Sequence, residues 1–466
     1  MIFSSIPFLY YFLPIVLILY FAAPKMLKNP VLLLASLAFY GWGEPKYVFL
    51  MLLTVSFGYI FGLLIEKFRG HLLSKIFLIL SVLSSVSGLL YFKYADFFIG
   101  NFNSLTGLSV PFLRLALPIG ISFYTFQILS YSIDVYRGEV KAQKNPLHLA
   151  TYVALFPQLI AGPIVRYSDV AQDLAGREHS LQKAADGITR FVIGLSKKIL
   201  IANTLGQIGE AFLASTELSV LYYWLFAVSY MLQIYFDFSG YSDMAIGLGK
   251  IFGFRFLENF NYPFISRSIS EFWRRWHISL GSWFRDYVYI PLGGNRVKRG
   301  RMFFNIFAVW FLTGFWHGAE WNFVIWGLYF GVMLTLEKFF FKKFLDRHRI
   351  FGHIYTLLFV SISFMIFAGG NISQAFSFVG GLFGFGKLPL VSFEAIYYLK
   401  SFSVVLLISA IGATPLPKKA LEYIKIKTNN SKWIDAVQII VLLLLVVIAT
   451  SYLVDGSFNP FLYFRF

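Results

Sequence analysis

The sequence predicts an all-α fold, a polytopic bundle of about 11–12 transmembrane helical spans with re-entrant and interfacial amphipathic helices, and three observations lead to it. Hydrophobic residues fill 58% of the 466 positions and charged ones only 14%, against about 25% charged in an ordinary soluble domain. Apolar stretches able to cross a hydrocarbon core of about 30 Å recur from end to end. Those stretches, 76–90 and 439–449 among them, lack the alternation of apolar and polar residues that a membrane β-barrel needs. A single membrane domain over 1–466 is expected, with N-terminal spans in 1–136, a core in 137–337 and C-terminal spans in 338–466.

The first span is read at 6–21. No Lys or Arg precedes Lys25, so this segment lacks the basic start of a cleaved leader and is expected to be retained. Further spans fall at 31–42, 47–65, 76–92 and 117–135, with turn chemistry such as Gly41-Trp42-Gly43-Glu44-Pro45 between them. Lys25 and Lys28 follow span one, Lys67, Arg69 and Lys75 follow span three, and Arg137, Lys141 and Lys144 follow span five. With positive charge held inside, these loops are cytosolic and the N-terminus lies outside. The segment 149–165 is broken by Pro157, Gly162 and Pro163, as a re-entrant or buried broken helix would be. Segment 188–214 carries Lys197 and Lys198 inside a helical pattern, and 220–236 reads as a full span.

Residues 266–301 hold eight basic residues against two acidic ones, a net of +6. As one helix this segment puts Phe272, Trp276, Leu280, Trp283 and Tyr287 on one stripe and Arg267, Arg274 and Arg285 on another, the pattern of an interfacial amphipathic helix. Later spans are placed at 302–316, 322–336, 354–368, 393–413 and 437–453. The overall charge of +17 sits in short loops between spans, where it sets topology. Lipid is therefore the expected partner, and nucleic acid is not. The chain has no cysteine, which removes disulfides, thiolate nucleophiles and sulfur metal sites and leaves covalent chemistry to oxygen and nitrogen.

Ionisable residues inside apolar segments are costly and mark places to look for function. The run 235–243 holds Asp237, Ser239, Tyr241 and Asp243 and could bind a hydroxylic or cationic ligand, or else end a helix with its carboxylates as caps. In 271–277, Arg274 and Arg275 stand beside Trp273 and Trp276, which suits a phosphate-bearing, ring-containing donor such as coenzyme A. The same residues also suit an interfacial anchor. His317 ends an apolar span beside Trp316, Gly314, Gly318 and Ala319, where a neutral imidazole can act as a general base with a substrate close by, or simply join two helices by a hydrogen bond. His71, His148, His179, His348 and His353 fall in or beside presumed cytosolic loops, and no histidine forms a metal-ligand spacing. No HExxH, GxSxG or phosphate-cradling loop is present, so no metal site and no bound cofactor are expected.

These residues carry a resemblance. The start 1–5, the runs 117–123 and 156–163, YFDFSGYSDMAIG at 235–247, WRRWHISL at 273–280, then Trp283, Arg285, Asp286, Tyr287, PLGGNR at 291–296 and WHGA at 316–319 follow in order along nearly the whole chain. The chain resembles the membrane-bound O-acyltransferase (MBOAT) family, in the bacterial branch associated with alginate O-acetylation. The resemblance implies a helical bundle around a central tunnel, with an acyl thioester such as acetyl-CoA entering from the cytosol and a polysaccharide acceptor arriving from outside. It also implies an extracytoplasmic SGNH-type acyltransferase partner. His317 matches the family's essential histidine and His277 a second histidine of this branch. One departure is Ile366-Phe367-Ala368-Gly369-Gly370-Asn371, where many relatives carry an aromatic-Arg pair. On this reading His317 takes the acceptor proton, Arg274 and Arg275 help hold the donor, and Trp276 or Asn322 stabilises the oxyanion. D-Alanyl transfer to teichoic acid from a carrier protein is the alternative within the family. A polytopic glycan or lipid transporter lined by Asp237, Asp243 and His317 is the alternative outside it.

Overall fold

The computed structural model describes residues 2–159, 162–428 and 432–456, and among them only helices and loops occur. Five helices among these residues are long and apolar enough to cross a membrane: Tyr47–Lys67, Leu72–Thr106, Trp321–Arg347, Arg349–Ala368 and Lys432–Val454. A sixth crossing results if Phe393–Ser401 and Ser403–Gly412, bent by 59°, form one span. The expected 11–12 crossings are not all met by length and apolarity. Lys28–Gly43 and Ile121–Arg137 have 16 and 17 residues, short of the roughly 20 that a straight crossing needs.

The chain divides into two compact units, Met1–Phe191 with Ser242–Leu257, and Val192–Tyr241 with Glu258–Phe466. In the first, Gly58 and Gly62, four apart on Tyr47–Lys67, open a groove that takes Ile128 and Tyr131 of Ile121–Arg137. A Cβ on either glycine would stand 2.7 Å from those side chains. Small residues at this spacing let membrane helices approach, and a buried hydrogen bond between Ser81 and Ser132, 2.7 Å long, ties in Leu72–Leu89. The expected break in 149–165 is present. Pro146–Ala154 starts on an Asn145 cap with Pro146 in its first turn, Leu155 leaves helical geometry, and Phe156–Leu159 makes one further turn. Ile160 and Ala161 of that segment, like Met1 of the starting motif, lie outside the described residues.

The second unit has an aromatic core. Tyr222, Phe226, Tyr235, Phe236, Phe272, Trp276, Trp310, Trp326, Phe330 and Phe364 are all buried in one cluster. Arg299–His317 and Trp321–Leu336 form its central hairpin. Gly314 and Gly327 face each other so closely that a Cβ on Gly327 would lie 2.2 Å from the carbonyl oxygen of Trp310. The glycines beside His317 were expected to admit a substrate. Instead the space beside Gly314 is taken by the backbone of Phe323 and Gly327, and that beside Gly318 by the Phe323 ring.

Two local expectations are corrected. The helix beginning at Val220 does not end near 236 but runs to Ile251, so Asp237 and Asp243 are interior residues and cap nothing. Interior placement is tolerated because each carboxylate meets a cation, Lys198 and Arg190 respectively. The segment 266–301 is not one amphipathic helix: Ile269–Arg275 and Ile278–Phe284 are separated by an extended Trp276 and by His277 at φ +45°. The apolar stripe survives the break, because Phe272, Trp276, Leu280, Trp283 and Tyr287 are all buried. Burial of that stripe, rather than helical continuity, is what the hydrophobic spacing specified.

Candidate active site

His317 is the last residue of Arg299–His317 and is buried. Its imidazole is enclosed by rings: Trp316 at 4.8 Å between centroids, Trp326 at 4.9 Å and Phe367 at 5.4 Å. Phe367 belongs to the segment noted as a departure, and that segment also supplies the Gly369 carbonyl, which accepts a 2.6 Å hydrogen bond from Asn322 Nδ2. Trp316 continues to the second histidine, with its ring 6.1 Å from that of His277. The other side of His277 meets Phe238 edge to face at 4.7 Å.

His277 sits where the chain turns between two short helices, in a left-handed conformation that costs a non-glycine residue energy and so needs outside support. Asn259 supplies it. Its Oδ1 accepts from Ser279 Oγ at 2.8 Å and from the Ser279 N–H at 3.2 Å, while its carbonyl accepts from the Ile278 N–H. His277 Nδ1 lies 3.2 Å from the same Oδ1, which makes Nδ1 the protonated nitrogen and leaves the lone pair on Nε2. Burial holds this imidazole far below its ordinary range, at about 3, so it is neutral at physiological pH.

Beside His277 a cavity of about 280 Å³ is lined by Trp273, Arg274, Leu280, Arg285, Trp310 and Thr313, among others. It shares Arg274, Gly281, Arg285, Val309 and Trp310 with a second cavity of about 570 Å³, whose wall adds Asn295, Glu337, Lys338 and Lys342. The two cavities adjoin along these residues as parts of a cleft: an outer part in which Arg274, Arg285, Lys338 and Lys342 outnumber Glu337 and Asp346, and an inner part beside His277 lined mostly by rings and apolar side chains. Arg274 and Lys342 have no ion pair among the described residues, and Lys338 donates to Asn295 Oδ1. Glu337, almost fully buried at the end of the apolar hairpin, accepts from the N–H groups of Ile269 and Ser270 and from Ser270 Oγ. It thereby fixes the helix that carries Trp273 and Arg274. His317 lines neither cavity and meets the cleft through its ring neighbours.

The sequence candidates thus divide. His277, Arg274 and Arg285 line the cleft, and Trp316, His317 and Asn322 lie in or against the ring cluster. Arg275 pairs with Glu271 at 2.9 Å, and Arg285 also pairs with Asp286 at 2.7 Å. Trp276 turns into the core, stacked on Phe272 at 5.4 Å. Asp237 holds Lys198 and Asp243 holds Arg190, and the two pairs belong to different compact units. Ser239 and Tyr241 are buried on the same helix. Among the described residues no three His, Asp or Glu side chains gather as a metal site would require.

Sequence reasoning passed over Asn259, Glu337, Trp326, Lys338 and Lys342. Glu337 had a signal, being a carboxylate at the end of a strongly apolar run. Asn259 had none, since its contacts lie about twenty residues ahead across an irregular loop.

Residues 82–379 match the profile of MBOAT, the membrane-bound O-acyltransferase family. The chain is 40% identical to a probable alginate O-acetylase AlgI of Azotobacter vinelandii over 499 aligned positions, covering all of both proteins. It is 33% identical to the peptidoglycan O-acetyltransferase of Helicobacter pylori, over all of this chain and 98% of the other. Similarity to the teichoic acid D-alanyltransferase of Bacillus subtilis, at 35% identity, covers 54% of this chain and 68% of that one. Full-length identity at this level, together with the matched profile and the apolar helices, settles the class: the chain is a multi-pass membrane enzyme of the membrane-bound O-acyltransferase family.

Proposed function

We propose that this enzyme takes an acetyl group from a cytosolic thioester, acetyl-CoA, and passes it across the bacterial cytoplasmic membrane to hydroxyls of an extracytoplasmic polysaccharide, directly or through an SGNH-type partner, with the N-terminus outside. The observation that carries this reading is the juxtaposition of His317, the ring cluster and the basic cleft. Arg274, Lys338 and Lys342 suit the phosphates of a coenzyme, and the apolar inner part suits its pantetheine arm and acyl group. The O-acetylating relatives match the chain over its whole length, whereas the D-alanylating one matches about half, and this favours acetyl over D-alanyl.

In the reaction His317 accepts the proton of an acceptor hydroxyl as the oxygen attacks the thioester carbonyl. A C–O bond forms and the carbonyl π pair moves onto oxygen. Collapse of that oxyanion expels the thiolate, which takes up the proton from the imidazolium. His277, neutral and oriented by Asn259, lines the path between the cleft and Trp316 and packs against the acyl chain.

The test uses inverted membrane vesicles with labelled acetyl-CoA outside and the surface polymer with its candidate partner inside. Label reaching polymer or partner in proportion to this enzyme supports the reading. Polymer moving across the membrane without consumption of acetyl-CoA, or transfer from a D-alanyl carrier alone, rejects it.

A further inference from the structure

The reaction proposed above develops negative charge on the acyl carbonyl oxygen, and hydrogen-bond donors preorganised at that point are commonly the largest single contribution to acyl transfer. The sequence candidates for this task are engaged elsewhere. Trp276 packs among Phe260, Phe264, Phe272 and Phe364. Asn322 commits one of its two amide N–H bonds to Gly369 and lines neither cavity.

Two other donors belong to rings lying between the inner cavity and His317. Trp326 and Trp273 each bury the indole Nε1 with no acceptor among the described residues. A buried donor left without an acceptor is costly, so each such group calls for a reason. Trp326 lies edge-on to His317 at 4.9 Å, and Trp273 stands 5.7 Å from Trp326. Trp273 also lines the inner cavity together with His277. The pair therefore spans the interval between the cavity and His317. Packing alone does not demand indoles here, because Phe330 and Phe367 fill the adjoining volume with plain rings. Contacts of an indole N–H with a neighbouring π face recover only part of a hydrogen bond.

We infer that the indole N–H groups of Trp326 and Trp273 receive the acyl carbonyl oxygen and stabilise the oxyanion formed when the acceptor attacks, which makes both of them catalytic residues. The inference rests on the acyl-transfer reading and on His317 as its base. In the step, both N–H bonds stay intact. They donate more strongly as the carbonyl π pair settles on oxygen and relax when the C–S bond breaks.

Trp326→Phe and Trp273→Phe keep a ring and remove the N–H. Each is expected to lower kcat for acetyl transfer about 100-fold while leaving the KM for acetyl-CoA nearly unchanged. Benzothienylalanine incorporated at 326 keeps the bicyclic outline with sulfur in place of N–H, and is expected to give the same loss in a fully packed protein. A spectroscopic readout separates this from a packing defect. With acetyl-CoA carrying a 13C carbonyl bound to His317→Ala, which cannot turn it over, the C=O stretch is expected to rise when either N–H is also removed. Parent-like kcat in the folded Trp variants, or an unmoved stretch, overturns the inference. If His317→Ala is inactive while the Trp variants behave as parent, only the oxyanion assignment fails. If His317→Ala transfers acetyl at the parent rate, the underlying reading fails.

Discussion

The Nζ of Lys198 lies 2.6 Å from Oδ1 of Asp237, and both side chains are almost wholly removed from solvent, at 5% and 2% exposure. Beside this pair the two helices touch at glycine, since a Cβ on Gly240 would stand 2.7 Å from the Gly194 carbonyl oxygen. The close approach brings the ammonium of one helix onto the carboxylate of the other. A charge buried this deeply is tolerable only in company. Asp237→Asn or Lys198→Met alone is therefore expected to destabilise the detergent-solubilised enzyme by about 3–5 kcal/mol, and the double variant Lys198→Met/Asp237→Leu to recover most of that loss. Thermal melts of the four proteins measure it. If the double variant is as unstable as the worse single one, Asp237 has a role beyond the ion pair.

The hairpin that presents His317 depends on Gly327. Its replacement by Ala drives a methyl group into the Trp310 carbonyl at 2.2 Å, and overpacking of a rigid contact costs about 1–3 kcal/mol or more. Gly327→Ala is expected to lower the melting temperature and the transfer rate together, whereas Gly300→Ala, where no neighbour lies within 4 Å, should change neither. The two substitutions sit on the two arms of one hairpin and call for the same assay.

Arg274 and Lys342 face the outer cleft without anionic partners among the described residues. Replacing either by Ala is expected to raise the KM for acetyl-CoA roughly tenfold with a smaller change in kcat, as loss of a charge-assisted hydrogen bond of about 1.5 kcal/mol implies. Added salt should weaken donor binding less in the variants than in the parent. Steady-state kinetics at two ionic strengths tests this. An unchanged KM in both variants would move the donor elsewhere.

His277 sets a pH dependence of stability. Its folded pKa, about 3, is depressed by burial below the ordinary 6.5. The unfolded chain therefore binds a proton there that the native chain refuses throughout the interval between those values. Its contribution is fully present above about 6.5 and declines as pH falls toward 3, by about 1.4 kcal/mol per unit within the window. His277→Gln, whose amide can still donate toward Asn259, is expected to flatten the fall of melting temperature between about pH 6.5 and about pH 4.5. An identical slope in both proteins would show that other groups control the acid limb.

Much of this was legible from residue order. Apolar runs without alternation placed the long spans, and the broken stretch around Pro157 was visible as a break. The stripe from Phe272 to Tyr287 named buried residues correctly even though the helix drawn through it was wrong. What escaped detection depends on contacts distant in sequence. Nothing local announces that His277 adopts a left-handed backbone, because the Asn259 carboxamide that supports it belongs to a loop eighteen residues earlier. Gly314 and Gly318 looked like room for a substrate because sequence does not reveal the partner helix, and Phe323 and Gly327 occupy that room. The carboxylates of 235–243 looked like ligand groups for a similar reason, since their cations, Lys198 and Arg190, lie far back along the chain on another helix.

Within the site, aromatic residues were the hardest to sort. Trp273 and Trp276 are neighbours in sequence, yet one lines the cleft and the other packs in the core, because the chain leaves helical geometry at Trp276. Sequence adjacency to Arg274 and Arg275 gave Trp276 to the donor side, although the apolar stripe already counted it with the buried rings.

The most direct test of the central claim is single-turnover acetyl transfer from labelled acetyl-CoA by the purified full-length enzyme in nanodiscs, comparing the parent with His317→Ala. The expected result is a fall of at least about 1000-fold in the rate of the chemical step, with donor binding and the melting temperature held near parent values. A well-folded His317→Ala enzyme that binds acetyl-CoA and transfers the label at the parent rate would contradict the account.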